Sequence, residues 1–387
     1  MNGLVSISRE NAAMKQFRPG RYVQQAHYKS FQPNPINRAW ALDDMGLLQL
    51  LGQADRELGR LDMYSEYIPN IDLFIRMHVL KEATQSSRIE GTQTNMEEAL
   101  LEKEDVAAGR RDDWEEVQNY VAAMNEAVDK LKTLPFSARL IRATHRTLMQ
   151  GVRGRHKQPG EFRLSQNWIG GATINDAVFV PPVHTSVGEL IGDIEQFVHN
   201  DGQFFPELLK IALVHYQFET IHPFLDGNGR VGRLLITLNL VSRGILKQPV
   251  LYLSDFFERN RQLYYDNLMR VREKNDLLQW FRFFLVGVIE TAKSSIATFD
   301  NILKLQKQVE LQLQTLGSRT ANAQRVTHYL YQRPVVNAAR VGEVTGVSPA
   351  SAYKLIADLE QFGILKEITG GKRGKMYAFD AYLKLFK

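Results

Sequence analysis

The chain of 387 residues contains no cysteine. Disulfides, thiolate nucleophiles and zinc–thiolate sites are therefore excluded outright. A reducing compartment is consistent with that absence. Long apolar runs are also missing. The segment Leu234–Val241 is interrupted by Thr237 and Asn239 and falls short of a membrane span. The first residues, MNGLVSISRENAAMKQ, lack the apolar core of a signal peptide. Charge of one sign is scarce: a net +5 is small for this length and does not by itself imply nucleic-acid binding. What remains is the composition of a cytoplasmic globular protein without a membrane partner, long enough for two or three domains.

The first forty residues are polar and punctuated by Pro19, Pro33 and Pro35, and they read as an extended arm or cover. Helical spacing then runs from Leu42 to about Leu101, through Leu47, Leu48, Leu51, Leu58 and Leu61. Pro69 interrupts it. A helix from about Asn70 carries Leu73, Phe74, Met77 and Leu80 and ends near Gly91; another follows Asn95, and a third reaches about Leu131. Two β-prone runs, Asn167–Gly171 and Val178–Pro182, predict a small hairpin or flap on a helical body. A helix from Pro206 delivers the chain to His222, and another leaves from about Gly229 to Val241. Further helices cover about 258–290, and a connecting helix runs from Glu290 to Leu316.

The last sixty-odd residues change character. Helices near Ala323–Gln332 and Ala338–Val344 precede a third, capped by Ser348 with Pro349 at its first position and with Tyr353, Leu355, Ile356 and Leu359 inward. Two β-prone runs, Leu365–Thr369 and Lys375–Phe379, flank the basic turn Gly370-Gly371-Lys372-Arg373-Gly374. This is the order of a winged helix-turn-helix. The expected fold is mainly α, a helical core with a small β-hairpin flap plus that terminal domain. The divisions are 1–105, an N-terminal helical region; 106–290, a catalytic core; 291–320, a connecting helix; and 321–387, the winged helix-turn-helix.

Residues 222–233 read His-Pro-Phe-Leu-Asp-Gly-Asn-Gly-Arg-Val-Gly-Arg. An imidazole, a carboxylate, three glycines and two guanidiniums fall within twelve positions. His222 takes a proton near neutral pH. Asp226 offers hard oxygen to Mg²⁺, which usually arrives with substrate phosphates. Gly227 and Gly229 let backbone turn sharply and approach a ligand closely. A loop of this kind entering a helix presents free N–H groups to phosphate oxygens. Arg230 and Arg233, three apart, share one helix face.

This stretch resembles the signature of the Fic family of nucleotidyltransferases, His-x-Phe-x-Asp/Glu-Gly-Asn-Gly-Arg-x-x-Arg, at every specified position. Pro159-Gly160-Glu161-Phe162-Arg163, Trp168–Gly171, Phe179–Pro182 and Tyr264-Tyr265 also look like family features, and the resemblance covers about residues 60–290. It implies transfer of AMP from ATP to a Ser, Thr or Tyr hydroxyl of a protein, with release of pyrophosphate. His222 is then the general base and Asp226 the Mg²⁺ ligand. Gly227, Asn228, Gly229, Arg230, Val231, Gly232 and Arg233 contact ATP, with Arg233 reaching the γ-phosphate. Asn260 and Tyr265 line the adenine end. Val178 and Phe179 belong to a flap that docks the target by strand addition.

Ser86-x-x-x-Glu90-Gly91 resembles the inhibitory helix motif of self-restrained members of that family, here N-terminal to the core. The resemblance implies that Glu90 pairs with Arg233 and takes its guanidinium from the γ-phosphate. The same Glu in some relatives helps water remove AMP. The implied partners are a target protein, a second copy of the chain as target or as homodimer partner, and DNA if the winged helix acts as a regulator. Transfer of another phosphate-containing group is the same-fold alternative. Against its phosphate-transferring toxin branch stands Gly229, where that branch carries Lys. His145, His156, His184, His199 and His215 read as structural or surface groups.

Overall fold

The computed structural model describes residues 17–67, 71–151, 155–202, 204–370 and 374–386. Strands β1 (Gly20–Gln24) and β2 (Lys29–Pro33) pair antiparallel, with Gly20 opposite Pro33 and Gln24 opposite Lys29. The sequence reading of residues 17–40 as an unpacked arm is corrected here. Phe17, Phe31 and Ile36 are buried. Phe31 donates its N–H to the Val180 carbonyl at 2.9 Å, and Ile36 donates to the Asp193 carboxylate at 2.7 Å. The prolines do not prevent this, because Pro33 sits at a strand end where no ladder donor is needed. Residues 1–16, and with them the start of the expected arm, lie outside the described residues, as do Pro69 and Asn70.

The helical body comprises α1 (Met45–Tyr67), α2 (Ile71–Ile89), α3 (Met96–Ala99), α4 (Arg111–Lys130), α5 (Ala138–Leu148), α6 (Val187–His199), α7 (Glu207–Ile221), α8 (Asn228–Ser242), α9 (Ser254–Arg259), α10 (Arg261–Lys274) and α11 (Leu277–Leu313). In α1 the residues Leu47, Leu51, Ala54, Leu58 and Leu61 form one apolar stripe, and all are buried along α11. Helices α7 and α8 pack on each other at the centre of the body. Nearly all of α7 is buried, polar residues included, which is how a core helix differs from an amphipathic one. Trp280 of α11 donates to the Ala212 carbonyl of α7 at 2.9 Å and fixes the two together. Residue 290 falls inside α11, so the expected division there is not a break in the structure. The division at 105 separates α1–α3 from helices on which they pack directly.

The terminal region contains α12 (Thr320–Gln332), β3 (Val335–Val336), α13 (Ala338–Thr345), α14 (Pro349–Gln361), β4 (Lys366–Glu367), β5 (Tyr377–Ala378) and α15 (Asp380–Leu383). Its strands form an antiparallel sheet in the order β3-β5-β4. Ser348 caps α14 as expected, accepting from Ser351 N–H. Tyr353, expected inward, is 57% exposed, because the stripe on Ala352, Leu355, Ile356 and Leu359 already fills the inner face. Gly371, Lys372 and Arg373 of the basic turn lie outside the described residues. The terminal region rests on α2, with the Phe74 and Tyr331 rings 5.9 Å apart and His78 5.1 Å from Phe386. Among the described residues no helix is long and apolar enough to cross a membrane.

Candidate active site

Helix α7 ends at Ile221, and His222 follows in the left-handed region at φ 50°, ψ 61°. For a residue with a Cβ this conformation is strained, and it persists only where surroundings dictate it. They do. Arg163, 1% exposed, donates through Nε to the His222 carbonyl at 3.0 Å and through its guanidinium to the Ser165, Pro182 and Ile221 carbonyls. Asn167 donates Nδ2 to the carbonyls of His222 and Phe224 at 3.1 and 2.9 Å. Asn228 brackets the Phe224 peptide from the other side, accepting its N–H at 2.8 Å and donating to its carbonyl at 2.9 Å. His145 stacks on the Phe224 ring at 3.7 Å. Its Nδ1 accepts from Gly160 N–H, so Nε2 carries the hydrogen and donates to the Asp226 carbonyl at 3.1 Å.

The loop then enters α8 through Gly227 at φ 73°, where a Cβ would press on the Met149 sulfur. No side chain caps α8. Its first N–H groups are therefore available at the positive end of the helix, beside His222 and Asp226. Burial lowers the His222 pKa to about 4; Glu90 opposes the shift, and Arg272 and Arg163 reinforce it. The imidazole is thus neutral at physiological pH and able to accept a proton. Asp226 holds the Gly227 N–H at 2.6 Å and keeps its carboxylate half exposed.

The two arginines of the signature diverge. Arg233 is buried and donates Nε to Ser86 Oγ at 2.9 Å, and Nη2 both to the Ser86 carbonyl at 2.9 Å and to Glu90 Oε1 at 2.7 Å. The expected Glu90–Arg233 pair is present, made through one carboxylate oxygen. Burial pushes the Glu90 pKa up, but the Arg233 charge and hydrogen bond outweigh it and the net shift is downward. Gly229 makes the pair possible: a Cβ there would collide with Glu90 Oε1. Arg230 turns the other way. It donates Nη1 to Glu116 Oε2 at 3.2 Å and sits 3.8 Å from Asp226 Oδ1.

A cavity of about 550 Å³ opens over these groups. Glu90, His222, Asp226, Gly227, Asn228, Gly229, Arg233 and Tyr265 line it, as do Val178 and Phe179. Arg230, Val231, Gly232 and Asn260 do not. Val231 and Gly232 are buried in α8, and Asn260 donates to the Phe256 carbonyl. The expected flap is a single antiparallel bridge between Ile169 and Phe179. Val178 is 66% exposed at its rim. The Phe179 side chain is not on offer to a partner: it is buried, with the Arg272 guanidinium 3.8 Å from its ring centre.

The roles of several site residues escaped sequence reasoning. Arg163 lies in a family-like stretch and His145 reads as a structural or surface group, but no residue pattern marks either as the partner of a carbonyl oxygen. Glu116 reaches Arg230 from more than a hundred positions away. Glu219 had a faint signal, a carboxylate three residues before His222 near the end of a largely apolar helix. Its carboxyl lies against Gly232, where a Cβ would collide with it. Burial raises its pKa to about 7 despite Arg233, and Glu90 adds to the rise.

A buried, carbonyl-braced loop that sets an imidazole beside an uncapped helix start and a caged arginine has the chemistry to receive an anion. Residues 48–129 match the family described as Fic/DOC family N-terminal, and residues 135–240 match the Fic/DOC family. The chain thus carries a Fic N-terminal region followed by a Fic domain. It is 34% identical over 125 residues to a protein adenylyltransferase Fic of Aedes aegypti, covering 32% of this chain and 22% of that protein. A probable protein adenylyltransferase of Aquifex aeolicus is 36% identical over 115 residues, covering 30% of this chain and 32% of the relative. The chain thus spans about a third or less of the length of these curated relatives. A Fic family protein from Desulfovibrio desulfuricans shares the fold with a TM-score of 0.57 at 19% identity, covering 88% of this chain and 98% of that one.

Proposed function

We propose that this chain transfers AMP from ATP to a Ser, Thr or Tyr hydroxyl of a protein target, and that Glu90 restrains the reaction. The observation that carries the reading is the neutral His222 imidazole lining the same cavity as the uncapped start of α8 and the Glu90-bound Arg233. The names of the relatives supply the choice of ATP. In the step proposed, the target oxygen bonds to the α-phosphorus while His222 takes its proton. The bond from that phosphorus to the bridging oxygen breaks, and pyrophosphate leaves with the electron pair. The α8 N–H groups face the charge that develops. Arg233, once free of Glu90, binds the γ-phosphate.

Asp226 fits a metal that arrives with phosphates: it is one half-exposed carboxylate at the cavity edge. Among the described residues no cluster of three or more candidate ligands forms a dedicated cage. Mg²⁺ held there would offset phosphate charge. Val178 and the edge of the Ile169–Phe179 bridge suit an extended target segment. The element order of the terminal region supports a winged helix-turn-helix reading, but Lys354 on α14 stands among Asp358 and Glu360, which weighs against DNA as the primary ligand.

The test is incubation with labelled ATP and Mg²⁺. Glu90→Gly raises labelling of protein by about tenfold or more, since freeing the competent state removes a population penalty. His222→Ala abolishes labelling. Absence of labelled protein with both wild type and Glu90→Gly, each shown to be folded, sinks the proposal.

A further inference from the structure

Helix α2 ends at Ile89, so Glu90 sits in the turn beyond it, followed by Gly91 at φ 99°. A turn in that position needs something to hold it, because each residue fixed costs about 1–2 kcal/mol of backbone entropy. Backbone bonds to Ser87 and Arg88 close it onto α2, and Arg110 with the N-terminal half of α4 supplies the side chains that hold it from the other side. Thr92 Oγ1 donates to Glu116 Oε2 at 2.9 Å. Gln93 N–H donates to Asp113 Oδ2 at 3.0 Å. Arg110 Nη2 donates to the Gln93 carbonyl at 2.6 Å and to Glu98 Oε2 at 2.9 Å. Thr92 and Thr94 are both buried, whereas Gly91, Gln93 and Asn95 are exposed; of the two threonines it is Thr92 that bonds to α4, through Glu116.

The oxygen that accepts from Thr92 also accepts from Arg230 Nη1 at the start of α8. One carboxylate oxygen therefore ties the turn carrying Glu90 to the helix carrying Arg233. We propose that Glu116 is a positioning residue of the restraint: through Thr92 it holds the turn so that Glu90 meets Arg233, and through Arg230 it references that turn to α8. This rests on the reading of Glu90 as a brake. Arg230 belongs to this arrangement rather than to the cavity wall, which it does not line.

Thr92→Val keeps the side chain's shape, removes its donor and leaves the Arg230–Glu116 contact in place. Transfer of label from ATP is compared among wild type, Thr92→Val, Glu90→Gly and the double variant. Amide exchange over residues 90–95 is followed by mass spectrometry in each. A hydrogen bond to a charged acceptor is worth roughly a factor of ten or more. Thr92→Val therefore raises basal transfer about tenfold, speeds exchange of the turn, and adds nothing in the Glu90→Gly background. Glu116→Gln speeds the same amides. An unchanged basal rate, or the same factor in both backgrounds, overturns the proposal. If Glu90→Gly itself brings no gain, the brake reading fails. Exchange then decides for Glu116 alone, and a turn no faster in Thr92→Val or Glu116→Gln refutes its holding role.

Discussion

The loop from His222 to Gly227 is gripped on several sides, by Arg163, Asn167, Asn228 and His145, each bonded to loop backbone. The turn from Glu90 to Thr94 meets the same machinery at Arg233, yet its hydrogen bonds are shared between the last turn of α2 and the Asp113 and Glu116 side chains of α4, and Glu90 keeps 37% of its side chain exposed. Two parts of one site are thus built to different standards. On the proposed function, groups that would meet a reacting phosphate sit on over-determined backbone, and the group that would have to leave, Glu90, is held by contacts a ligand or partner can outcompete.

The comparison breaks most visibly at Arg163. Its guanidinium serves the carbonyls of Ser165, Pro182, Ile221 and His222, and Arg163→Met removes this donor from all four in a buried place, leaving the His222 carbonyl its bond from Asn167. The expected loss is about 3 kcal/mol or more of unfolding free energy, read as a lower denaturant midpoint, with transfer lost even under conditions where the variant remains folded. A wild-type midpoint and rate in Arg163→Met means that the loop holds its shape without this residue. No variant of the Glu90 turn is expected to destabilise the fold as much.

A second difference concerns protons. Burial lowers His222 to about 4, so the imidazole stays neutral as pH falls from 7 to 5. The acid limb of kcat/KM, measured in Glu90→Gly to remove the proposed brake, is expected near pH 4. An ordinary imidazole would put it near 6.5 and cost about tenfold in rate by pH 5.5. Glu90 is itself among the influences that raise His222, so its removal moves the limb lower still. A limb near 6.5 would mean that the loop does not enclose His222 as described.

Legibility in the sequence follows the same divide. The signature is local: His222, Asp226, Gly227, Gly229 and Arg233 fall into one cavity because a helix end, a tight loop and a helix start fix their spacing. The Glu90–Arg233 contact was legible through resemblance, not geometry, since 143 positions separate its partners. The bracing was not legible. Arg163 and His145 act on peptide carbonyls, and any polar residue at that distance in sequence is an equal candidate. The β1–β2 hairpin was missed because its apolar anchors, Phe17, Phe31 and Ile36, are isolated among polar residues and gain burial from parts distant in sequence, the flap segment, α6 and α7, and from Trp40. Tyr353 was misjudged because helical spacing predicts which residues share a face and not how wide the buried face is.

Glu219 sharpens the comparison at its smallest scale, since it lies between the two regions and touches both electrostatically. Its carboxyl is raised to about 7 from an ordinary 4.5, chiefly by burial, with Glu90 adding to the rise. An acid raised on folding binds its proton more tightly in the native state. Stability from this group is present below about pH 4.5 and is lost as pH rises towards 7. Between pH 5.5 and 6.5 the loss is about 1 kcal/mol. Glu219→Gln abolishes that slope, so the difference in unfolding free energy between variant and wild type grows with pH across this interval. Glu90→Gly removes a neighbouring negative charge and shifts the sloping interval towards lower pH. Parallel stability curves for wild type and Glu219→Gln would show that Glu219 ionises in the native state as it does in the unfolded chain. Gly232 would then be accommodating an ordinary carboxylate beside Arg233.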